Sequence, residues 1–507
     1  MLTPGIPELT GICTDRKYRD YPRGRKIFCD HFFQERLWAR PPDRGLPRAI
    51  KNRSDRQTNV NLIKNRRDAA ALRDDSGFRL RTKSPRGGDF RCGKTSAGTR
   101  YIGENMKYAV ILCDGMADFP IPSLGGKTPL AAAYTPHMDA LAAAGEVGLC
   151  KTVPDGMKPG SDVANLSVLG YDPKDCYTGR SPLEAVSIGI DLKPTDVALR
   201  CNLVTLSGEG EYEDLVMQDY SGGEISTAEA TELIEFLRPY LENENMRLYP
   251  GVSYRHCLVV DHGTIGNDLT PPHDISDKKI KDHLPKGPAG EIYLAMMKRS
   301  YELLKDHPLN KKRVAEGKRP ANSVWFWGEG TKPGLPLFTA KTGLTGAVIS
   351  AVDLIKGIGI LAGMQIIDVP GATGNWDTDF HGKAEAAATA LLSGTDFIYL
   401  HMEATDECGH QGDLKHKLYS IETIDREVVG YLADRLSAAN EQFSFLITPD
   451  HPTPIALKTH VSDPVPYLIY RSDEKRSNPY PYTEEGAKES GVFVPGGVEL
   501  MRKFLGK

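Results

Sequence analysis

The sequence predicts an α/β protein whose core is a parallel sheet flanked by helices. Continuous apolar runs such as "YAVILCDG", "TDFIYLHME" and "FSFLITPDH" end in polar residues, as strands buried on both faces of a parallel sheet do. Between these runs, "TPHMDALAAAGEVG" and "LKHKLYSIETIDREVVGYLADRLSAAN" are typical of helices, with Thr135 as the N-cap and Pro136 in the first turn of the former. Ligands of such sheets bind beyond the carboxyl ends of the strands, which directs attention to the polar residues there.

Composition divides the 507 residues into three parts. Residues 1–105 carry 24 Lys and Arg against 12 Asp and Glu, and they are predicted to be a basic, disordered extension, with Met106 as the natural start. Residues 106–184 and 346–507 carry the α/β pattern. Residues 185–345 contain shorter, partly alternating strands and two helices, which predict a smaller α+β domain inserted into the first.

The basic extension has two functional alternatives. A basic arm binds nucleic acid in some proteins, and "GDFRCGKT" at residues 88–95 fits the phosphate-binding pattern G-x-x-x-x-G-K-[ST]. That pattern works between a strand and a helix, where backbone amides point at phosphates, and the flanking "RLRTKSPRG" and "SAGTRYIGEN" predict neither element. We therefore interpret the match as coincidental and expect no nucleic-acid partner.

Charge, hydropathy and cysteine content indicate where in the cell the protein is expected. The formal net charge is −4, and no apolar run approaches the roughly 20 residues of a membrane span, so no membrane partner is expected. The nine cysteines form no C-x-x-C pair, and no signal peptide follows Met1. An odd number of scattered cysteines predicts reduced thiols and a cytoplasmic protein. The sequence does not indicate the oligomeric state.

Two polar residues stand out in the first part of the α/β pattern. Asp114 ends the first core strand, where it is either a metal ligand or a turn-forming residue of an Asp-Gly pair. Ser161 follows Pro-Gly and precedes a helical stretch, where amides stabilise anions. It is either a helix N-cap or a nucleophile activated by a neighbouring cation.

The second group lies in "HMEATDECGHQGD", residues 401–413. Asp406 and His410 share one helical face at a spacing of four, which suits two ligands of one cation or a surface hydrogen bond. Glu403, Glu407 and His416 are interpreted as bystanders.

The third group lies in "LITPDHPTPIALKTHVSDP". Asp450 and His451 come at a strand end, and His460 precedes another apolar run. Oxygen and nitrogen donors of this kind suit Mn²⁺ or Zn²⁺, and two such ions together favour phosphoryl transfer through a serine.

Residues 106–507 resemble the alkaline phosphatase superfamily and, within it, the archaeal-type 2,3-bisphosphoglycerate-independent phosphoglycerate mutases. The matching stretches include "CDGMAD", "PGSDVANLSVLGYDP", "GRSPLEA", "VPGATGNWDTDFHGKAEAA" and "TPDHPTP" with "THVSDPVP". The resemblance implies an alkaline-phosphatase-like fold, a phosphorylated metabolite as substrate, and interconversion of 3-phosphoglycerate and 2-phosphoglycerate through phosphoserine on Ser161.

The same resemblance implies two divalent metal ions, with Mn²⁺ expected and Zn²⁺ or Co²⁺ as alternatives. The implied ligands are Asp114, Asp450, His451 and Ser161 for the first ion, which would lie beside Ser161. For the second ion they are Asp406, His410 and His460, the first two of which lie in "DECGH". The inserted domain would close over the substrate and exclude water.

Substrate contacts are predicted on cationic residues of the insert and the domain joins. The candidates are Arg200, Arg255, His256, Arg180 and Lys356, because Arg offers a two-pronged donor to phosphate and carboxylate. Structural salt bridges are the alternative for the arginines. Asp377 and Lys383 either line the crevice or cap a helix.

Two other activities fit the same core. "RHCLVV", "LTPPHDISDKKI" and "NSVWFWGEGTKPGLPLF" resemble a bacterial branch labelled as proposed homoserine kinase. A metal-dependent phosphomonoesterase would share the serine and the metals, but it would need a site open to water.

Overall fold

The structure, a computed structural model, describes residues 106–507. The predicted disordered extension, the nucleic-acid arm and the phosphate-loop match all lie outside the described residues. In chain order the strands are β1 (Met106–Cys113), β2 (Glu146–Cys150), β3 (Val197–Ser207), β4 (Val216–Asp219), β5 (Met246–Tyr249), β6 (Arg255–Val260), β7 (Ser323–Thr331), β8 (Gly346–Ile349), β9 (Gln365–Ile366), β10 (Phe397–Met402), β11 (Gln442–Thr448), β12 (Val465–Arg471) and β13 (Phe493–Val494).

Helices connect most of these strands. In chain order they are α1 (Pro129–Ala132), α2 (Pro136–Ala143), α3 (Ser161–Val168), α4 (Pro173–Cys176), α5 (Ser181–Ser187), α6 (Thr227–Leu241), α7 (Gly290–Leu304), α8 (Pro308–Ala315), α9 (Phe338–Thr342), α10 (Asp353–Leu361), α11 (Phe380–Leu392), α12 (Ala404–Gln411), α13 (Leu414–Thr423), α14 (Tyr431–Ala438), α15 (Glu484–Glu489) and α16 (Gly497–Phe504). Within residues 106–507, no helix combines the length and apolar character needed to cross a membrane.

The larger sheet has eight strands in the order β13-β2-β12-β11-β1-β10-β8-β9. β1 pairs in parallel with both β10 and β11 at its centre. Alternate residues of β1 enter two separate cores, Ala109 and Ile111 on one face and Val110 and Leu112 on the other. This two-sided burial explains the continuous apolar run and confirms the α/β prediction. β12 is the exception to a parallel sheet, since it runs antiparallel to β11 and β2.

The smaller sheet has five strands. Four follow the order β4-β3-β6-β5, and the fifth, β7, also pairs with β3. Its pairings are antiparallel. It has its own core, to which α6 and α7 contribute Leu233, Leu237 and Met297. Its strands fall between residues 197 and 331. The boundaries of the inserted domain at 185 and 345 stay a prediction.

The long predicted helix near residues 414–440 is present but not uniform. α13 and α14 are joined by a π-helical segment at Ile424–Gly430, where the turn is wider than in an α-helix. In this segment the Asp425 carboxylate accepts hydrogen bonds from the backbone N–H of His137 and of Met138, at 3.2 and 2.7 Å. It thereby caps α2, whose Thr135 occupies the N-cap position without a side-chain hydrogen bond.

A candidate two-metal site and its neighbouring cavity

The residues predicted as ligands and nucleophile come together at the carboxyl edge of the larger sheet. Because β1, β10 and β11 are parallel neighbours, their carboxyl ends lie side by side. The residues come from the segments after these three strands, from the start of α3 and from the loop before β12: Asp114, Asp406, His410, Asp450, His451, Ser161 and His460.

Asp406, His410 and His460 form one candidate metal group. The Nε2 atoms of His410 and His460 lie 2.9 Å apart, and they lie 3.3 and 3.4 Å from the Asp406 carboxylate oxygens. Nδ1 of His410 is 3.1 Å from the carbonyl oxygen of Lys458, which only accepts, so a neutral His410 carries its proton there and turns the Nε2 lone pair inward.

The electrostatics of this group favour a positive charge between its members. The hydrogen bond to Asp406 raises the pKa of His410 to about 9. Burial opposes the ionisation of Asp406, but hydrogen bonds from His410 and His460 hold its pKa well below the usual value. A divalent cation coordinated by these three side chains would supply that positive charge, so these residues fit a metal ion.

Asp114 supplies a second observation that fits a cation. Its side chain is buried, and its Oδ1 has no hydrogen-bond partner among residues 106–507, although Nε2 of His451 lies 3.7 Å away. Burial raises the pKa of Asp114 well above its usual value, and the nearby charges of Asp450 and Asp406 add to this effect. Three buried carboxylates at this spacing are costly unless a cation neutralises them.

The second group differs in one respect from the predicted set. The donor atoms of Asp114, Asp406 and His451 all lie within 4.8 Å of one another, so Asp406 belongs to both groups. Asp450 is next to them, with Oδ2 3.3 Å from Nε2 of His451. Its Oδ1 accepts hydrogen bonds from the backbone N–H of Gly115 and of His451. Which carboxylates share an ion with His451 stays a prediction.

Ser161 stands beside this second group. It is the first residue of α3, and its Oγ lies 3.3 Å from Nε2 of His451. Asn165, one turn later, ties this helix end to the ligands: its Nδ2 donates to the Ser161 carbonyl at 2.8 Å and to Oδ2 of Asp450 at 2.9 Å. Its Oδ1 accepts from the Tyr399 hydroxyl at 2.7 Å. Asn165 was not predicted as a site residue, although its spacing of four from Ser161 places both residues on one helix face.

Two further residues, which were not predicted from the sequence, hold the ligands in place. His401 is fully buried, and burial lowers its pKa to about 3, so the ring is neutral. Its Nε2 lies 2.9 Å from Oδ2 of Asp114, and its Nδ1 lies 3.2 Å from the Ser350 hydroxyl. The Thr453 hydroxyl donates to Oδ1 of Asp406 and lies 3.3 Å from Nδ1 of His451. Such outer contacts orient metal ligands and set their tautomers.

The Asp-Gly pair after β1 has a specific packing reason. Gly115 has φ +61°, which L side chains rarely adopt, and a Cβ there would lie 2.5 Å from Oδ1 of Asp406 and 2.6 Å from the Thr453 hydroxyl. Glycine at this position therefore lets the helix that carries Asp406 approach the end of β1. Asp114 therefore takes part in an Asp-Gly turn and also lies at a candidate ligand position, so the two interpretations are compatible.

A cavity of about 830 Å³ lies next to the ligands. All five residues predicted to contact substrate line it: Arg180, Arg200, Arg255, His256 and Lys356. The sequence positions of these residues span the start of α5, β3, β6 and α10, so only the tertiary fold brings them together.

The arginines of the cavity are held in part by ion pairs. Glu184 lies between two of them, 2.7 Å from Nε of Arg180 and 3.0 Å from Nε of Arg200. The Arg200 guanidinium also lies 4.5 Å from the ring centroid of Trp327. Burial lowers the pKa of Arg200 to about 10, against the opposing charge of Glu184. Arg180 and Arg200 therefore form the salt bridges of the alternative interpretation while they line the cavity, and their contact with substrate stays a prediction.

His256 presents an unused donor. Its Nδ1 accepts a hydrogen bond from the backbone N–H of Gly251 at 3.0 Å, and burial lowers its pKa to about 3, so the proton of the neutral ring sits on Nε2. That buried Nε2–H has no partner within residues 106–507. A ligand oxygen in the cavity would satisfy it.

The remaining candidates have more ordinary surroundings. Lys356 pairs with the exposed Asp368 at 2.7 Å. Asp377 does not cap a helix; Asp379 caps α11 instead, by accepting from the backbone N–H of Gly382. Lys383 is fully buried, and its Nζ lies 3.3 Å from the carbonyl oxygen of His401. Burial lowers the pKa of Lys383 to about 8.

The three residues interpreted as bystanders separate into two kinds. His416 lies 2.5 Å from Asp413 and stacks on the Trp376 ring at 4.1 Å, so it is engaged away from the ligands. Glu403 and Glu407, by contrast, line the cavity. Burial raises the pKa of Glu403 to about 8, and the charges of Glu407 and Asp406 contribute.

A mainly parallel α/β sheet that carries two adjacent donor groups and a serine at a helix N-terminus defines a metal-dependent phosphoryl-transfer enzyme. A family model described as 2,3-bisphosphoglycerate-independent phosphoglycerate mutase matches residues 142–310. A probable mutase of this name from Geobacter sulfurreducens is 51% identical over 404 residues, which cover 79% of this chain and all of that protein. A mutase of the same name from Methanosarcina barkeri is 50% identical over 398 residues, covering 78% of this chain and 98% of that protein.

Solved structures agree with this assignment. A protein from Pyrococcus horikoshii is 31% identical with a TM-score of 0.66, covering 79% of this chain and 98% of that one. A cofactor-independent phosphoglycerate mutase from Thermoplasma acidophilum is 27% identical with a TM-score of 0.54, covering 79% and 99%. The chain therefore belongs to the 2,3-bisphosphoglycerate-independent phosphoglycerate mutase family. The relatives carry the mutase name, which favours the mutase over the homoserine kinase.

Proposed function

We propose that this chain interconverts 3-phosphoglycerate and 2-phosphoglycerate, with Ser161 holding the phosphoryl group between the two half-reactions. The observation that carries the proposal is the position of the Ser161 hydroxyl, 3.3 Å from Nε2 of His451 at the first residue of α3. Backbone amides at that helix end favour an anionic oxygen. The neighbouring cavity carries cationic side chains for a small anion.

Each ligand group is assigned a role in this proposal. Asp114, Asp450 and His451 would hold one divalent ion beside Ser161, and the second ion would be held by Asp406, His410 and His460. Mn²⁺ is the proposed ion, with Zn²⁺ and Co²⁺ as alternatives, because the donors are carboxylate oxygens and imidazole nitrogens. When bound, such ions neutralise charge on phosphoryl oxygens and lower the pKa of an attacking hydroxyl.

The chain's own groups bind and orient the substrate. Arg180, Arg200 and Arg255 provide donors for the carboxylate of the glycerate, and Nε2–H of His256 provides another. In the first half-reaction the bond from phosphorus to the substrate oxygen breaks, and the bond from phosphorus to Oγ of Ser161 forms. The serine loses its proton and the released oxygen gains one. The second half-reaction reverses these changes at the other hydroxyl of the glycerate.

Water must be kept out while Ser161 is phosphorylated, because hydrolysis would release phosphate. The proposed inserted domain, residues 185–345, supplies Arg200, Arg255 and His256 to the cavity wall. We propose that it acts as a lid that encloses the glycerate during its reorientation. A cytoplasmic location is also proposed, consistent with the free cysteines of the described residues.

One assay tests the proposal. The full chain with Mn²⁺ is supplied with 3-phosphoglycerate and no bisphosphoglycerate, and 2-phosphoglycerate is measured. Ser161→Ala is expected to abolish its formation, whereas Ser437→Ala, at an exposed serine on α14, is expected to leave it unchanged. Release of free phosphate would indicate a phosphomonoesterase, and phosphohomoserine made only with ATP would indicate a kinase. Full activity in Ser161→Ala would contradict the covalent mechanism.

A further inference from the structure

Glu403 occupies the boundary between the candidate ligands and the cavity. It follows β10 directly and precedes Asp406 by one helical turn. Its side chain lines the cavity together with Glu407 and with Arg180, Arg200 and Arg255. Glu403 is close enough to Asp114 to raise the pKa of that carboxyl through its charge. It therefore belongs both to the cavity wall and to the surroundings of the candidate ligands.

Within residues 106–507, no hydrogen-bond donor contacts the carboxyl group of Glu403. Arg180, whose charge acts on this carboxyl, is already paired with Glu184 at 2.7 Å. The carboxyl oxygens are open to the cavity, where a ligand donor can take the place of water. The group is thus available for a bound molecule.

Gly374 makes room for this carboxyl group. A Cβ at residue 374 would lie 2.3 Å from Oε2 of Glu403, and the next nearest atoms, Cδ and Cγ, belong to the same side chain. The backbone of Gly374 is not in the left-handed region, so a side chain at this position would act by displacing the Glu403 carboxyl rather than by straining the backbone. Gly374 also lines the cavity. The loop therefore leaves the Glu403 carboxyl in contact with the cavity.

The chemistry of a phosphoglycerate matches this division of the cavity. Its phosphate and carboxylate accept hydrogen bonds, and the arginines and His256 offer donors to them. Its free hydroxyl is the one remaining polar group and can donate. An acceptor wall in a site for an anion is otherwise unfavourable, since it repels the charged ends of the substrate.

We propose that Glu403 is a specificity-determining residue, whose carboxyl accepts a hydrogen bond from the free hydroxyl of the bound phosphoglycerate. The inference rests on the proposed function. It implies that the site rejects a compound with the same phosphate and carboxylate but no hydroxyl, because the Glu403 carboxyl would then stay unpaired. Sites built around a substrate hydroxyl discriminate strongly for this reason.

Binding is measured calorimetrically in the full chain carrying Ser161→Ala, with Mn²⁺, so that no turnover occurs. The two ligands are 3-phosphoglycerate and 3-phosphonooxypropanoate, which lacks the 2-hydroxyl. We expect the parent protein to bind 3-phosphoglycerate at least about tenfold more tightly. Glu403→Ala is expected to reduce that ratio to about threefold or less. Glu489→Gln, at an exposed glutamate on α15, serves as the matched control and should keep the full ratio.

A second variant separates recognition from a loss of folding. Gly374→Ala keeps the Glu403 carboxyl but displaces it, and it is expected to reduce the ratio in the same way, with an unchanged melting temperature. The inference is wrong if the parent protein shows no preference, or if Glu403→Ala retains the full preference. Failure of the proposed function is distinguishable, because the chain with Ser161 intact would then form no 2-phosphoglycerate.

Discussion

The ion pair of Lys417 and Asp118 is a buried support beneath the candidate ligands. Nζ of Lys417 donates to Oδ2 of Asp118 at 2.8 Å and to the carbonyl oxygen of Thr453 at 2.9 Å, and both charged side chains are almost completely buried. Oδ2 of Asp118 also accepts from the backbone N–H of Ile455 at 3.0 Å. This pair therefore fastens the loop that carries Thr453, whose hydroxyl contacts Asp406.

Lys417→Met is expected to lower the free energy of unfolding by about 3–5 kcal/mol, because it leaves Asp118 as a buried charge and the Thr453 carbonyl without this donor. Burial lowers the pKa of Lys417 despite the neighbouring carboxylate, so desolvation offsets much of the attraction within the pair. Replacing both partners, in Lys417→Met with Asp118→Asn, is therefore expected to cost less than the single change, within about 2 kcal/mol.

Urea unfolding of the metal-free chain measures these differences. Lys415→Met changes an exposed lysine on the same helix and should stay within about 0.5 kcal/mol of the unchanged protein. The affinity for Mn²⁺ should fall in Lys417→Met, because the Thr453 loop orients Asp406. A cost of less than about 1 kcal/mol for Lys417→Met, or a double variant less stable than the single one, would contradict this role of the ion pair.

Three further outcomes are expected. Asn165→Ala should lower kcat by about 10- to 100-fold with little change in KM, because Asp450 and the Ser161 helix end lose a shared donor; an unchanged kcat in a steady-state assay would contradict this. Free Mn²⁺ at about one hundred times its Kd should raise the free energy of unfolding by about 2.7 kcal/mol; His460→Ala should lose most of this gain in a thermal melt, and retention of the gain would argue against that ligand. Burial lowers the pKa of His256 in the folded chain to about 3, against an ordinary value of 6.5. Below pH 6.5 the unfolded chain therefore binds a proton that the folded chain does not, and the free energy of unfolding decreases as the pH falls. Between pH 7 and pH 5 the chain should lose about 2 kcal/mol more than His256→Gln does in urea unfolding, and equal losses would refute the assignment.

The core strands were predictable because burial on both faces leaves a continuous apolar run in the sequence. β1, β10 and β11 follow this rule. The antiparallel direction of β12 was not predictable, since an apolar run has the same appearance in either direction. The π-helical turn at residues 424–430 was likewise hidden within an ordinary amphipathic pattern.

The candidate site shows the same division. The spacing of Asp406 and His410 and the strand-end position of Asp114 were visible as local patterns. His401 was overlooked because a histidine inside a buried strand has no local signature of a ligand contact. The spacing of Asn165 from Ser161 was visible, but it does not reveal the contact of Asn165 with Asp450. Their partners, Asp114 and Asp450, are 287 and 285 residues away along the chain.

The sequence by itself determined which segments become buried strands and helices, and that polar residues stand where those strands end. Periodicity and end signals depend on neighbours a few residues away, and a single chain records them directly. Only the tertiary structure decided that Glu403 faces the cavity while His416 stacks on Trp376, although both lie close to the same pair of candidate ligands. Such choices depend on the packing of the loop around Gly374 and Trp376 against α12 and α13, which is set by contacts between residues distant in the chain.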